Sequence, residues 1–423
     1  MSLGSLSNTF KRAISISSSL LINDTWRTIE KCDVLFIKAD GNSPQIASGA
    51  HYAPLSDSIR DLFSSWGLRT ESVATPISRI NPDLFYRKTT SLNRLYILSR
   101  LRDLPGALLL REWVVPGDAE ISAWRSVIKQ ASPSLIIDIQ PEWAICKAAR
   151  DENVPIYDMQ HGVITDTHPY YSDERNSNRP SESLPSGYLC WDEPSAEVLR
   201  AWASKKGVDV RVVGNPWFIR FMGEGPKTVF EPFGVPPAHD ARPTIIISLQ
   251  WGNSHCFSKR PLERFIDPSL EEVVLNSLEK YDWHLRFHPI QLIGPEKDPL
   301  RRYIKSIFGE DLYEKWMESS LLPLPLALSR ADLHLTQNST VTIEASWLGV
   351  RTGFVGGDVP KGYYHKEMEE GYASIIEGSP DVLLEWISET LSKGKAMPAM
   401  SHRNYDGFGE LLTALGLSTN HNR

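Results

Sequence analysis

The stretch PSLIIDIQPEWAICKAARDENVPIYDMQHG, residues 133–162, decides the fold class. Its first segment is an apolar run that ends in polar residues. Pro141 then opens a segment of helical character, because proline is favoured in the first turn of a helix. A second apolar run, VPIYDM, ends in Gln160 and His161. Two strands that are apolar along their length and are joined by a helix predict a parallel sheet covered on both faces.

The same strand-to-loop junction recurs along the chain. Further examples are CDVLFIKAD (32–40), SGYLCWD (186–192), VRVVGNP (210–216), TIIISLQWGN (244–253), WHLRFHP (283–289), ADLHLTQNST (331–340) and RTGFVGG (351–357). Helical patterns separate them, including those near 268–281, 298–319 and 340–349. The alternation of strands and helices in both halves predicts an α/β fold with two doubly wound sheets.

A chain of 423 residues is longer than one ordinary core, so we expect two domains. One segment is rich in glycine and proline and has neither the helical nor the strand period, which indicates a linker. We therefore predict an N-terminal Rossmann-like domain over 1–216, a linker over 217–242 and a C-terminal Rossmann-like domain over 243–400. A closing helix and tail follow over 401–423.

Composition argues against several functional classes. The hydrophobic fraction of 41% and the charged fraction of 23% describe a soluble globular protein. A net charge of -7 and the lack of any basic run argue against nucleic acid as a partner. Cys32, Cys146, Cys190 and Cys256 are widely scattered, which favours free thiols in a reducing cytoplasm. No run approaches the roughly 20 apolar residues of a membrane span. We interpret residues 1–26 as a surface helix, with peripheral contact at the inner face of the cytoplasmic membrane as the alternative.

Ligands of open parallel sheets bind at the carboxyl ends of the strands. The most informative of these ends is TQNSTVTIEASWLG, residues 336–349. Asn338, Ser339 and Thr340 precede a helix and can each cap it, although one cap does not require three such residues. The functional alternative is a phosphate at the helix N-terminus, with the Glu344 carboxylate on ribose hydroxyls.

Two other junctions of the second half carry candidate donor-binding residues. RFHP places Arg286 and His288 at a strand end, where Pro289 prevents continuation of the strand. They suit a second phosphate contact, and a structural hydrogen bond between His288 and a backbone carbonyl is the alternative. SLQWGN adds Gln250 for hydrogen bonding and Gly252 for close backbone approach.

In the first half, DIQPE places Asp138 and Glu142 beside a helix opening, and DMQHG places Asp158, Gln160 and His161 at the next strand end. Asp138 and Asp158 fit best as acceptors for backbone N–H groups. His161 precedes a glycine, whose backbone freedom can direct a side chain into a crevice. An imidazole there can deprotonate an acceptor hydroxyl.

The sequence contains no G-x-x-x-x-G-K-[ST], G-x-G-x-x-G, H-E-x-x-H, G-x-S-x-G, C-x-x-C or D-x-D motif. These absences argue against P-loop phosphate transfer, zinc hydrolysis, serine-esterase chemistry and ordinary nicotinamide binding. We expect a nucleotide-type site that needs no metal and no cofactor.

At this point the chain resembles a known family. QHG and VVGNP in the first half, and RFHP and NSTVTIEASWLGV in the second, are similar to motifs of the GT-B glycosyltransferases of bacterial capsule and lipopolysaccharide assembly, including Kdo transferases. CDP-glycerol glycerophosphotransferases and UDP-N-acetylglucosamine 2-epimerases are more distantly similar. The resemblance covers roughly 130–357 and implies two Rossmann-like domains that face each other across a cleft.

The resemblance also implies roles for residues in the C-terminal domain, which would bind the nucleotide sugar. Arg286 and His288 would contact phosphate, and Glu344 the ribose. Asn338, Ser339 and Thr340 would contact the phosphate or the sugar, and Gln250 lies at the neighbouring junction.

The N-terminal domain would bind the acceptor. KADGNS, with Asp40, and His51 or Asp57 would lie at its mouth. Asp40, His51 and Gln160 would bind the acceptor. His161 would be the general base of an inverting displacement, or an acid that steadies the leaving phosphate in a retaining one. A carboxylate nucleophile for retention would be Asp138, Asp158 or Glu142, and this choice stays open.

The resemblance implies metal-independent sugar transfer from a nucleotide-activated donor to a saccharide or lipid-linked saccharide hydroxyl. Association with other polysaccharide assembly enzymes is a further expectation. A nucleotide-sugar epimerase or hydrolase of the same fold is the alternative, although QNST stands where the epimerases have a glycine-serine pair. A binding module without turnover is the non-enzymatic alternative. The donor sugar, its base and the acceptor stay open.

Overall fold

A computed structural model describes residues 18–43, 45–47, 49–110, 116–222, 241–252, 254–257, 262–356, 359, 363–399 and 405–417. The predicted N-terminal surface helix and the predicted linker lie largely outside these residues. The chain forms two compact units. Met1–Gly225 and His402–Arg423 form the first, and Pro226–Ser401 forms the second.

The first unit contains a parallel sheet of six strands and a small antiparallel hairpin. Its strands are β1 (Val34–Lys38), β2 (Gln45–Ala47), β3 (Ala50–Tyr52), β4 (Thr70–Ala74), β5 (Leu135–Asp138), β6 (Ile156–Met159), β7 (Gly187–Cys190) and β8 (Asp209–Val212). Its helices are α1 (Pro54–Ser65), α2 (Asn93–Leu110), α3 (Asp118–Ala131), α4 (Trp143–Asp151), α5 (Asp173–Asn176), α6 (Glu193–Ala203) and α7 (Pro216–Met222). The strand order is β4-β1-β5-β6-β7-β8, and β2 pairs with β3 in the hairpin. Helix α7 thus lies at the start of the segment predicted as the linker.

The second unit contains a parallel sheet of five strands in the order β10-β9-β11-β12-β13. These strands are β9 (Thr244–Ser248), β10 (Asp282–Arg286), β11 (Leu333–Thr336), β12 (Arg351–Val355) and β13 (Ala373–Ile376). The helices are α8 (Pro268–Asn276), α9 (Pro289–Ile293), α10 (Lys297–Phe308), α11 (Glu310–Leu321), α12 (Leu324–Arg330), α13 (Val341–Ser346), α14 (His365–Glu369) and α15 (Pro380–Ser392). A last helix, α16 (Asp406–Ala414), belongs to the first unit.

The two sheets confirm the predicted fold class of two doubly wound Rossmann-like α/β sheets. The predicted strands form because their apolar runs are buried on both faces, as in β9, where every residue is buried. The sequence patterns did not indicate β2, β3, β4 and β13, because QIA, AHY, TESVA and ASII contain no apolar run longer than two or three residues. The helical pattern at 298–319 is two helices, because Gly309 at φ 90 separates them in a conformation that favours glycine.

Each sheet has one point where the strand order reverses. In the first sheet it lies between β1 and β5, and in the second between β9 and β11. Loops that leave neighbouring strands at such a point diverge and open a crevice at the carboxyl edge. Among the described helices, none combines the length and the apolar character that a membrane span requires.

A buried ion pair lies at the end of β1, beside the reversal between β1 and β5. Lys38 Nζ is 2.6 Å from Asp57 Oδ1, and both side chains are fully buried. Lys38 Nζ also donates to the Tyr86 carbonyl (3.0 Å), and Asp57 Oδ2 accepts from Ala53 N–H (2.7 Å). Desolvation lowers the pKa of Lys38 and raises the pKa of Asp57. Asp57 therefore secures the end of β1 and does not lie at the mouth of a site.

Replacing Lys38 with methionine should destabilise the first unit by about 3–5 kcal/mol, because a buried carboxylate loses its cation. The double variant K38M/D57N should recover at least half of that loss, since asparagine is uncharged and still accepts from Ala53. Urea unfolding of both variants measures the difference. A loss of less than about 1 kcal/mol in K38M would show that the pair is not important for stability.

Candidate functional site

Two loops of the second sheet are joined by a hydrogen bond at the reversal between β9 and β11. The side-chain oxygen of Gln250, after β9, accepts the N–H of Asn338, after β11 (3.0 Å). The Asn338 carbonyl accepts from the Tyr364 hydroxyl (2.7 Å). The structure therefore joins two predicted donor-binding residues, Gln250 and Asn338, directly.

The residues next to Asn338 differ from one another in exposure. Ser339 is buried, and its hydroxyl accepts from Val341 N–H while its own N–H contacts Thr336 Oγ1, both at 3.3 Å. Thr340 occupies the N-cap position, is exposed and makes no side-chain cap bond. Of the three predicted caps, Ser339 thus supplies the hydroxyl contact. Helix α13 has 6 residues and is shorter than predicted.

Arg286, at the end of β10, is electrostatically coupled to Glu344 of α13. Nη1 of Arg286 donates to the carbonyls of Ser319 (2.5 Å) and Leu322 (2.9 Å) at the end of α11. Desolvation lowers the pKa of Arg286 to about 10, and the charge of Glu344 opposes this shift. Desolvation raises the pKa of Glu344 to about 8, and Arg286 opposes that shift. Glu344 can therefore hold a proton at neutral pH.

His288 caps α9. Its Nδ1 accepts from Ile290 N–H (3.2 Å), and Gln291 completes the capping box. An accepting ring nitrogen carries no proton, so the neutral ring has its proton on Nε2. Desolvation lowers the pKa of His288, which favours this neutral form. The structural partner is thus a backbone N–H and not the carbonyl considered above, and Nε2 is left as a hydrogen-bond donor.

In the first sheet, Asp138 and Asp158 are register partners on β5 and β6. Their side chains therefore lie on the same face of the sheet, and both residues are buried. Asp138 Oδ1 accepts from Ile139 N–H (2.7 Å) and Asp158 Oδ1 from Gln140 N–H (2.8 Å), which agrees with the predicted backbone-acceptor role. Gln140 adopts φ 55, a strained value for a residue with a side chain. Asp158 thereby holds the loop that leads to Glu142.

Desolvation is the main reason why both carboxyls of this pair are weaker acids than usual. It raises the pKa of Asp158 to about 8 and the pKa of Asp138 well above its usual range, where Asp158 and Glu142 add to the shift. Two close carboxyls do not readily ionise together. At neutral pH the pair therefore retains at least one proton.

Gln160 is held by internal contacts. Its Nε2 donates to the Gly162 carbonyl (2.8 Å) and to Ser195 Oγ (3.0 Å), and its Oε1 accepts from Trp191 N–H (2.7 Å). Both ends of the amide are engaged and the residue is buried. Gln160 thus fixes the loop that carries His161, whereas the sequence predicted that it binds the acceptor.

His161 differs from its buried neighbour Gln160 in its exposure and in its contacts. Its side chain is exposed, and it makes no side-chain hydrogen bond within the described part of the chain. Crowding by protein atoms nevertheless desolvates the ring and lowers the pKa of His161. The imidazole is therefore mainly neutral near pH 7, the form that can accept a proton.

The other predicted residues of the first unit lie around β1 and α4. Asp40 accepts from Ser78 Oγ (2.6 Å) and Arg79 N–H (2.7 Å). His51 Nδ1 contacts the Ser43 carbonyl (3.3 Å), three residues along the chain from Asp40. Glu142 is the N-cap residue of α4, without a side-chain cap bond, and desolvation raises its pKa.

A cavity of about 510 Å³ lies elsewhere in the second unit, at the ends of β12 and β13. Asp267, Gly356 and Ser379 are among its lining residues, and no predicted site residue lines it. No cluster of three or more His, Cys, Asp or Glu side chains suited to a metal occurs among the described residues.

Known proteins share this fold. The wall teichoic acid polymerase TagF aligns over 98% of this chain and 98% of its own, at 12% identity and TM-score 0.54. UDP-GlcNAc 2-epimerase from Methanocaldococcus jannaschii aligns over 90% of this chain and 99% of its own, at 13% identity and TM-score 0.51. The Neisseria meningitidis epimerase, bound to UDP-GlcNAc, aligns over 90% and 99%, at 13% identity and TM-score 0.50. No family model matches the sequence, and no curated protein matches it. These structures support a GT-B type of fold.

Replacing Asp158 with asparagine should flatten the pH dependence of stability. The unfolded side chain ionises near pH 3.8 and the folded one near pH 8. Between these values the folded state binds more protons, so wild-type stability should fall as the pH rises. In D158N the Oδ1 acceptor for Gln140 remains and this proton linkage is lost. Urea midpoints of both proteins at pH 5.5 and 8.5 test this prediction. An equal fall of the midpoint between the two pH values in wild type and D158N would contradict it.

Proposed function

We propose that this chain is an enzyme that acts on a nucleotide sugar, which it binds at the β9/β11 reversal of the second unit. The Gln250–Asn338 hydrogen bond carries the proposal, because it fixes two loops where doubly wound sheets bind ligands. Arg286 supplies positive charge and His288 an N–H donor for a diphosphate. Glu344 would bind ribose, as the resemblance implies. The UDP-GlcNAc of the Neisseria epimerase structure supports the same ligand class.

Group transfer is the first candidate chemistry. It is supported by His161, an exposed and neutral imidazole on a loop held by Gln160. Such a group can take the proton of an acceptor hydroxyl as that oxygen attacks the donor. The similarity to the TagF polymerase extends over nearly the whole chain and supports this candidate. We propose a saccharide or lipid-linked saccharide acceptor, in surface polysaccharide assembly.

Epimerisation or hydrolysis of the donor is the second candidate. The similar structures are mostly UDP-GlcNAc 2-epimerases, which supports this candidate more than transfer. The Asp138–Asp158 pair and Glu344 also suit it, because carboxyls with raised pKa values can act as general acids near neutral pH.

Thermal shift with CMP-, CDP-, UDP-, GDP- and dTDP-sugars tests the binding proposal. A ligand at 100 times its dissociation constant should stabilise the protein by about 2.7 kcal/mol. The best ligand is then incubated with and without saccharide acceptors. Release of free nucleotide only with an acceptor supports transfer, whereas conversion or hydrolysis of the donor alone supports the second candidate. No shift with any nucleotide sugar would refute the proposed function.

Replacing His161 with alanine should lower kcat for transfer by about 10²–10⁴-fold, the usual contribution of a general base, with little change in KM. H365A is the matched control, since His365 is also exposed and lies in the second unit. Steady-state kinetics measure both variants. Wild-type transfer by H161A would exclude the catalytic role.

A further inference from the structure

One aromatic side chain stands apart from all others that the structure describes. Trp251 is 52% exposed, and no other described phenylalanine, tyrosine or tryptophan has an exposed side chain. Single exposed apolar residues are common on proteins and carry little meaning alone. The position and the rigidity of Trp251 distinguish it from such residues.

Hydrogen bonds fix the backbone on both sides of Trp251. The Gln250 carbonyl accepts from Gln291 Nε2 (3.2 Å), and Gln250 Oε1 accepts from Asn338 N–H (3.0 Å). On the other side, Gly252 N–H donates to Glu296 Oε1 (2.7 Å). Gln291 Nε2 also donates to Glu296 Oε2 (2.9 Å), and both residues are buried. The indole is therefore held out from an anchored loop, which lowers the entropic cost of binding to it.

This loop leaves β9 at the strand-order reversal. The Trp251 and His288 rings are 6.4 Å apart between centroids, with 44° between their planes. The two rings form an open corner, in which the indole offers a flat apolar face and His288 Nε2–H a hydrogen-bond donor. A ligand that fits this corner has a flat apolar face next to an oxygen acceptor, as a pyranose ring and the phosphate bonded to it provide together.

From this geometry we propose that Trp251 stacks against the sugar ring of the donor. This contact would favour binding of the nucleotide sugar over binding of the free nucleotide. The inference rests on the proposed function. Glu344, assigned there to the ribose, follows β11 together with Asn338, whereas Trp251 follows β9 and lies beside His288, which follows β10 on the other side of β9. A diphosphate that accepts from His288 and reaches the Gln250–Asn338 contact would direct the sugar towards Trp251 and the nucleoside towards Glu344.

The test uses the full chain and compares a nucleotide sugar with its free nucleotide. The nucleotide sugar used is the one that binds most tightly among the CMP-, CDP-, UDP-, GDP- and dTDP-sugars. Calorimetry should show that W251A weakens binding of the nucleotide sugar about tenfold, within the usual range for loss of one stacking contact. Binding of the free nucleotide should change less than about twofold, because the nucleoside does not contact the indole. W251F should retain most of the affinity, since a flat ring remains.

L275A is the matched control. Leu275 is 41% exposed and lies near the end of α8. The L275A substitution therefore removes exposed apolar surface at a position away from the carboxyl edge. Unchanged urea midpoints for W251A and L275A would show that the fold is intact. Equal weakening of the nucleotide sugar and the free nucleotide would overturn the inference, as would unchanged affinity in W251A. Both results leave the proposed function standing, whereas failure of the wild type to bind any nucleotide sugar refutes both.

Discussion

Both sheets are covered on their two faces, and this constraint determines where polar groups can lie. Every residue of β1 and β9 is buried, including Lys38 and Ser248. A polar side chain within a strand therefore needs an adjacent partner. Lys38 has Asp57, while His334 contacts Thr352 Oγ1 and Ser248 Oγ, both at 2.9 Å. Side chains can meet a ligand mainly at the carboxyl edges, where the strands end and the loops begin.

The two carboxyl edges differ in their charge. At the first, Asp138 and Asp158 are desolvated and together keep at least one proton at neutral pH, and His161 on the loop after β6 is mainly neutral. At the second, Arg286 stays charged because the pKa of its guanidinium, although lowered, is about 10. Its neighbour Glu344 contributes little negative charge. Arg286 thus supplies positive charge at the second edge, whereas the carboxyl pair at the first keeps at least one proton.

The sequence predicted the two sheets because most strands are apolar runs, and it predicted the loops of the candidate site because these follow such runs. It did not predict which side chains of those loops face outward. The sequence pattern left Gln160 available to bind a ligand. In the structure its amide is occupied by Trp191 and Ser195, which lie 31 and 35 residues further along the chain. Local patterns do not contain such pairings. The exposure of Trp251 likewise depends on Gln291 in α9 and on Glu296 at the start of α10, and the local sequence pattern does not connect these residues with Trp251.

The last helix has a consequence for how the protein is made. In α16, Phe408 packs edge-to-face on Phe63 of α1, with 5.9 Å between ring centroids, so the second unit is inserted into the sequence of the first. On the ribosome, the second unit can complete its core while the first still awaits its final helix. The first unit therefore has to persist, partly assembled, until α16 has been synthesised. Premature termination shortly before α16 would damage the first unit and leave the second intact.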